Sequence, residues 1–402
     1  MIQNIKELAA GIEKDVISYR RDLHRIPEVS YDLPKTAAYV EEKLRSFGIT
    51  KIRTGICGYG ITADIEGAHP GKMIALRADM DALPVPEETG CDFASTHPGN
   101  MHACGHDGHT AMLLGAAKLL SEHCSEFDGT VRLIFQPAEE GPPPGGSYSL
   151  IKEGVLEGVQ AIFAIHMQPL EPTGTIAFNM GQAMSALDCF KITLIGKGGH
   201  GSMPHKSIDA ITLSALVINN LQYVVSRESD PLEPLVITIG TIEGGNAWNI
   251  IADSVKMTGT MRSYNQEVRE KAIAAMEQTI KGTCAAVGAD YKFENEPAVN
   301  PLINHYCASQ LLKDTLEEEL GPEHVKIMRR PSPASEDFSN YLFKVPGTFM
   351  WLGCASDENT SYPLHHPHFA MDESTLKTGV AAHVAIVNKY LNTDVELVYD
   401  IE

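Results

Sequence analysis

The chain has 402 residues, 43% hydrophobic and 21% charged, with 52 acidic against 32 basic side chains and a formal net charge of −20. That length exceeds one ordinary core and points to two domains, and the composition is that of a globular protein with a large apolar interior. The acidic balance, with no basic patch, argues against nucleic acid as a partner, and no apolar run is long enough to span a bilayer.

The N-terminus "MIQNIKELAAGIEKDVISYRRDLHR" reads as an amphipathic helix, charged throughout, without the apolar stretch and cleavage site of a leader. The expected setting is therefore the cytoplasm, with no membrane partner, and in that reducing compartment eight cysteines without framework spacing read as buried thiols with room for one ligand among them. "PKTAAYVEEKLRSFG" (34–48) has helical apolar spacing and ends on glycine. Strands are expected at 59–67 and 72–84, then a largely apolar, buried helix at 106–123, then strands at 129–141 and 158–169. Strands alternating with helices predict an α/β/α domain on a mixed sheet, with ligands gathering at strand ends. Polar residues stand at those ends: Asp79 and Asp81, Glu139 and Glu140, and His166.

The middle of the chain changes pattern. A strand at 187–198, a helix at 207–227, strands at 234–245 and 253–263, a helix at 266–288 and a strand at 290–297 follow one another. This β-α-β-β-α-β order is that of the ferredoxin-like sandwich. The expected organisation is α/β with two domains: 1–185 and 297–402 as the metal-binding catalytic domain, and 186–296 as an inserted lid or dimerisation domain. A helix at 373–392 resumes the first style.

"MHACGHDGH" (101–109) holds three histidines, a cysteine and an aspartate in nine positions. It supplies Cys104 and His106, "PAEEG" supplies Glu139 and Glu140, "AIHMQP" supplies His166, and "PLHHPHF" supplies His365 and His366. Thiolate, imidazole and carboxylate are zinc donors, and a mixed set suits two adjacent metals. Adjacent glutamates offer one carboxylate for metal and one for proton transfer. Singly, each has a plainer reading: a buried thiol, a helix-end histidine, a solvated acidic pair, a core histidine, a surface loop. Their joint placement at strand ends of one expected sheet puts a metal hydrolase level with these plainer readings.

Motifs spread over nearly the whole chain then carry a resemblance. "RRDLHRIPEVSY", "ALRADMDALPVPEETG", "HPGNMHACGHDGHTAMLLGAA", "FQPAEEG", "GKGGHGSMPH", "GGNAWNIIADSVKMTGTMRS", "SEDFSNYL" and "PLHHPHF" are similar to those of the aminoacylase-type two-metal amidohydrolases, in the branch of hippurate hydrolases, N-acyl-L-amino-acid amidohydrolases and auxin-conjugate hydrolases. The resemblance implies Cys104, His106, Glu140, His166 and His365 as ligands of two divalent metals, zinc or manganese first, cobalt or nickel next. It implies Glu139 as general base and Asp81 as a supporting acid near the site. It implies His200 as an oxyanion donor, often reaching a partner subunit's site, and Asn249 and Arg262 as substrate-binding residues; Asn246 is the alternative to Asn249. The implied reaction is hydrolysis of an N-acyl amino acid, in a homodimer formed through the inserted domain. A dipeptidase or carboxypeptidase on the same scaffold, or an inactive metal-dependent binding relative, are the alternatives. Two departures stand out. The loop "GPPPGG" after Glu140 is stiffened by proline. His366 occupies a place where a small polar residue is common, which leaves open which histidine of the pair binds metal.

Overall fold

The computed structural model describes residues Met1–Asp400. They divide into two compact units, one built from Met1–Ala183, Ile303–Pro331 and the chain from Asp337 onward, the other from Met184–Leu302 with the short segment Ser332–Glu336.

The first unit is organised by an eight-stranded mixed sheet, in spatial order Lys51–Ile56, Gly60–Glu66, Thr130–Gln136, Met73–Asp79, Ala161–Pro172, Gly347–Ala355, Ile176–Phe178 and Val325–Ile327. Its four middle strands are parallel and nearly wholly buried. Their apolar runs show no alternation because both faces are covered. Residues His106–Glu122 form a helix with fourteen buried positions. The helix Leu376–Leu391 is buried to a similar degree. Gly115 lets these two helices and the N-terminal one close up: a Cβ there would stand 2.7 Å from Val380 Cγ2 and 2.8 Å from Val16 Cγ2.

Two local signals read from the sequence meet different fates. Pro34 sits in the first turn of the helix Pro34–Ser46, and Gly48 follows its end at φ 80°, the usual proline-first, glycine-last arrangement. The N-terminal stretch, expected as one helix, is two, Ile5–Gly11 and Glu13–His24, joined at Ile12 with φ −105° and ψ 7°. Gly11 weakens the helix there, and the break lets each piece turn its own apolar residues, Ile5 and Ala9 or Val16, Tyr19 and Leu23, into the core.

Strand register sets the level of the site. Asp79 pairs with Gln136, Arg77 pairs with Ala164, and His166 pairs with Trp351. Asp79, Gln136 and His166 therefore stand at one height along three parallel strands, two of which end there. The strand through His166 continues to Pro172, so His166 lies within it and not at its end.

The second unit is a four-stranded antiparallel sheet in spatial order Leu235–Gly244, Ser254–Ser263, Leu187–Ile195 and Asp290–Val299. Ala210–Tyr223 and Gln266–Val287 are its helices. The connectivity is strand–helix–strand–strand–helix–strand. Asp209 and Asn265 cap the two helices by accepting from their first backbone N–H groups. Arg269 donates to both oxygens of the buried Asp188, at 2.6 and 3.0 Å, and ties helix to sheet. A small ribbon pairs Gly199–His200 with Ile250–Ile251.

His383 makes the first unit acid-sensitive. It lies in the buried helix Leu376–Leu391, and burial pushes its imidazole down to about 3. An unfolded histidine titrates near 6.5, so between these values the unfolded chain binds the extra proton and stability is lost as pH falls. The expected slope from this group approaches about 1.4 kcal/mol per pH unit within that window. Urea unfolding of wild type and His383→Leu at pH 7 and pH 5 checks it; the variant should lose less stability on acidification.

Candidate metal centre and active site

The site in the first unit begins with a charge that an apolar strand should not carry. Arg77 is buried in the strand Met73–Asp79 and must be paired. It donates to Gln136 Oε1 at 3.0 Å, Asp79 Oδ2 at 2.7 Å and Asp337 Oδ1 at 3.0 Å. Gln136 Nε2 and the Ser147 N–H also donate to Asp337. This network fixes Asp79, whose other oxygen is 2.6 Å from His109 Nδ1.

Two residues on, Asp81 is also buried. Its Oδ1 accepts from the Glu139 N–H at 2.9 Å and its Oδ2 from the Glu140 N–H at 3.0 Å. The chain enters this turn through Ala138 at φ 57°. Gly146 lies against it so closely that a Cβ would fall 1.8 Å from the Pro137 carbonyl oxygen. Adjacent side chains that would alternate on a strand are thus held together on one irregular turn. The proline loop that follows is exposed at Pro142, Pro143 and Pro144.

The five residues matched to metal ligands fall into two sets. Cys104, His106 and His166 have donor atoms within 4.8 Å of one another, as do Cys104, Glu140 and His365, so Cys104 belongs to both. His106, Glu139 and Glu140 form a further such group. Cys104 Sγ is 3.5 Å from His166 Nε2, and His365 Nε2 is 2.8 Å from Glu140 Oε1. His365 takes φ 68°, while its N–H donates to the Ala103 carbonyl at 2.8 Å. Of the "HH" pair, His365 faces Glu140. His366 stacks on Tyr362 at 4.8 Å between ring centroids, and its Nδ1 accepts from the His368 N–H.

Hydrogen bonding marks His109 as structural and leaves a nitrogen of His166 free. His109 Nδ1 donates to Asp79 and its Nε2 accepts from the Met167 N–H at 2.8 Å, so both nitrogens are used. His166 Nδ1 donates to the Met167 carbonyl at 2.8 Å, which leaves the Nε2 lone pair toward Cys104. His106 is fully buried and makes no hydrogen bond, its Nδ1 3.6 Å from Asp81 Oδ1 and its Nε2 3.7 Å from Asp79 Oδ2.

The electrostatics match that pattern. Burial holds the His166 imidazole well below its usual range, with His109 adding to the effect, so it is neutral and able to coordinate. Burial works against charge on His106 too, but Asp79, Asp81 and Glu140 outweigh it and carry the group up to about 10. Burial and the carboxylates of Glu140, Glu139 and Asp79 push the Cys104 thiol well up. A pocket that pulls positive charge onto a buried imidazole and denies a thiol its ionisation is one that divalent cations would satisfy on both counts. The residues present therefore fit a metal pair.

The remaining residues matched to a function lie in the second unit. His200 and Ile250 are partners on the exposed ribbon, and the Gly201 N–H donates to the carbonyl of Asn249, so His200 and Asn249 are neighbours. The Ser202 N–H donates to His200 Nδ1 at 3.1 Å, which places the ring proton on Nε2. Arg262 NH1 donates to the Pro333 carbonyl at 3.1 Å and Ser335 Oγ at 3.0 Å.

Asp79 stands out in the sequence only as a polar residue at a strand end, and its supports Arg77 and Asp337 carry no sequence-read role of their own, nor does Arg20, which donates to the buried Asp107 at 2.7 Å beside His106. An arginine inside an apolar strand was the available signal for the first network.

A donor set of thiol, imidazoles and carboxylates, with a further carboxylate beside it, at the level where central strands of a mixed α/β sheet end, is the equipment of a metal-dependent hydrolase. The chain belongs to peptidase family M20/M25/M40, whose model matches residues 75–389, and it is a hydrolase. It is 44% identical to an N-acyl-L-amino acid amidohydrolase of Geobacillus stearothermophilus, over 75% of this chain and 81% of the relative. It is 39% identical to thermostable carboxypeptidase 1 of Saccharolobus solfataricus, over 98% and 99%. Among solved structures, the YXEP protein of Bacillus subtilis, described as a dinuclear metal-binding peptidase of the M20 family, is similar at TM-score 0.83 and 34% identity, over 95% of this chain and 99% of that one.

Asp81→Asn tests the backbone clamp. An amide offers one acceptor oxygen and sets its NH2 against an N–H, which should cost about 1–3 kcal/mol of stability. The same change should cost about a hundredfold in turnover by shifting the Glu139–Glu140 turn. Urea midpoints and kcat measured together check both; full turnover would remove the positioning role.

Proposed function

We propose that this protein is a two-metal amidohydrolase that cleaves N-acyl amino acids to a carboxylic acid and a free amino acid. The observation that carries the reading is the convergence of Cys104, His106, Glu140, His166 and His365 in two donor sets sharing Cys104, with Glu139 grouped beside them. The amidohydrolase relative supports the substrate class. Two divalent cations held by these five residues would polarise the amide carbonyl and acidify a water. Zinc suits the thiolate; manganese, then cobalt and nickel, are the other candidates, because affinity order does not decide which metal is bound in the cell.

The chain's own groups supply the rest. Glu139 takes the proton of the attacking water and returns it to the leaving amine. Asp81 keeps Glu139 and Glu140 side by side through their backbone N–H groups. His200, with its proton on Nε2, is the donor for the oxyanion that develops on the former carbonyl, with Asn249 next to it. Arg262, anchored through NH1, has its other guanidinium nitrogens without partners among the described residues. Those nitrogens would bind the amino-acid carboxylate as a fork.

We further read the second unit, with the range 186–296 as its kernel, as a lid and as the surface on which two copies pair. Exposed Ile211, Leu216 and Tyr223 of one helix and Val236 and Ile242 of the sheet-edge strand support this. A cytoplasmic setting suits eight cysteines that are all free, one of them a candidate ligand. The carboxypeptidase relative favours a second reading, peptide hydrolysis on the same scaffold.

Amine release from a panel of N-acyl amino acids and plain dipeptides, with zinc, manganese, cobalt and nickel in parallel, decides between the two. Release confined to dipeptides would replace the amidohydrolase reading. Glu139→Gln should retain two metal equivalents and lose about 10²–10⁴ in kcat; near-full activity would remove its role. His200→Ala should lose about 10²–10³ in kcat with little change in metal content, and an unchanged kcat would count against it.

A further inference from the structure

We propose that His24, Glu87 and Cys91 form a separate binding site for one zinc-type divalent cation. The donor atoms of all three lie within 4.8 Å of one another, and the trio shares no residue with the two donor sets described above. His24 ends the helix Glu13–His24, while Glu87 and Cys91 sit in the long irregular segment after Leu83.

Geometry and support both fit. His24 Nε2 is 3.2 Å from Glu87 Oε1, and Cys91 Sγ is 3.7 Å from the same oxygen. In a tetrahedral zinc site with bonds of about 2.0–2.3 Å, neighbouring donors stand about 3.3–3.6 Å apart. The far atom of each buried ligand is already held. His24 Nδ1 lies 2.7 Å from Asp107 Oδ2, and Glu87 Oε2 accepts from the Ser95 N–H at 2.6 Å. A carboxylate behind the imidazole is the arrangement that orients a metal-binding histidine. The side chains of His24 and Glu87 are only 1% and 5% exposed. Cys91 is half-buried and opens the site to solvent. Phe93 fixes the segment: its ring meets His24 edge-on at 5.6 Å between centroids and lies under the guanidinium groups of Arg20 and Arg21 at 4.8 and 4.7 Å. Thr89 Oγ1 donates to Glu87 Oε1 and lies 3.4 Å from Cys91 Sγ, and a water would complete the coordination.

The same contacts serve as an ion pair when His24 carries a proton between Glu87 and Asp107. The cation takes the place of that proton on Nε2 and of the Cys91 thiol proton, so binding releases both to solvent. Nitrogen, sulfur and oxygen donors together select zinc or cobalt over magnesium or calcium. A cation there pins the segment carrying Glu87 to the helix that ends at His24.

Two measurements on the full chain test the site. Alkylation of Cys91 by iodoacetamide, resolved peptide by peptide in wild type, should slow about tenfold or more when zinc is added, because a coordinated thiolate is a poor nucleophile. Cobalt titrated into Cys104→Ser should give a thiolate-to-cobalt charge-transfer band worth one equivalent, and Cys91→Ser added to that variant should abolish it. An unchanged alkylation rate, or a band that survives Cys91→Ser, overturns the proposal. Failure of the proposed metal pair would leave both readouts intact, since the sites share no ligand, and Cys91→Ser alone should keep wild-type turnover.

Discussion

One carboxylate accepting two successive backbone N–H groups sets the geometry on which this centre depends. Asp81 binds the amides of Glu139 and Glu140. The turn that follows the strand Thr130–Gln136 is thereby held with two acidic side chains together. Asp81 itself is placed by the strand Met73–Asp79, which ends two residues earlier, and that strand is anchored by Arg77 between Asp79, Gln136 and Asp337. Stripped of either support, a buried group would lack its partner, and the cost of such a loss is several times that of an exposed pair.

The histidines divide according to what their second nitrogen does. His109 spends both nitrogens on Asp79 and Met167, and so braces the strand ends. His166 spends one and keeps one. His106 makes no hydrogen bond, and its nitrogens face Asp81 and Asp79 at 3.6 and 3.7 Å. Within the stretch 101–109 hydrogen bonding sets His109 apart, while His102 and His106 both make no hydrogen bond; His106 is marked instead by its grouping with Cys104 and His166.

Much of this was legible in the chain. The helix at 106–123 and the strands at 72–84 and 129–141 were readable because apolar runs bounded by glycine and polar residues leave few alternatives, and the structure has them at His106–Glu122, Met73–Asp79 and Thr130–Gln136. Cys104, His106, Glu139, Glu140, His166 and the pair His365 and His366 were nameable because their residue types carry metal chemistry, and all of these but His366 come together in the donor groups. Other features were not readable. The break at Ile12 depends on which residues the core accepts, which periodicity alone does not record. His24 contacts Asp107 and Glu87 across 83 and 63 residues of chain, and no local motif announces such a pairing. The left-handed backbone at His365 and Ala138 is a property of the turns, invisible in side-chain type.

The second unit is assembled from two stretches of chain, Met184–Leu302 and Ser332–Glu336. Arg262 leans on the second stretch through Pro333 and Ser335, and Ser185 donates to the Pro333 carbonyl. The unit is thus not a bead threaded once on the chain. A graft or excision that took only the long stretch would leave behind the anchor of a residue that reads as substrate-binding. Exchange of this unit between relatives, in the laboratory or by recombination, succeeds cleanly only when the five-residue clasp travels with it.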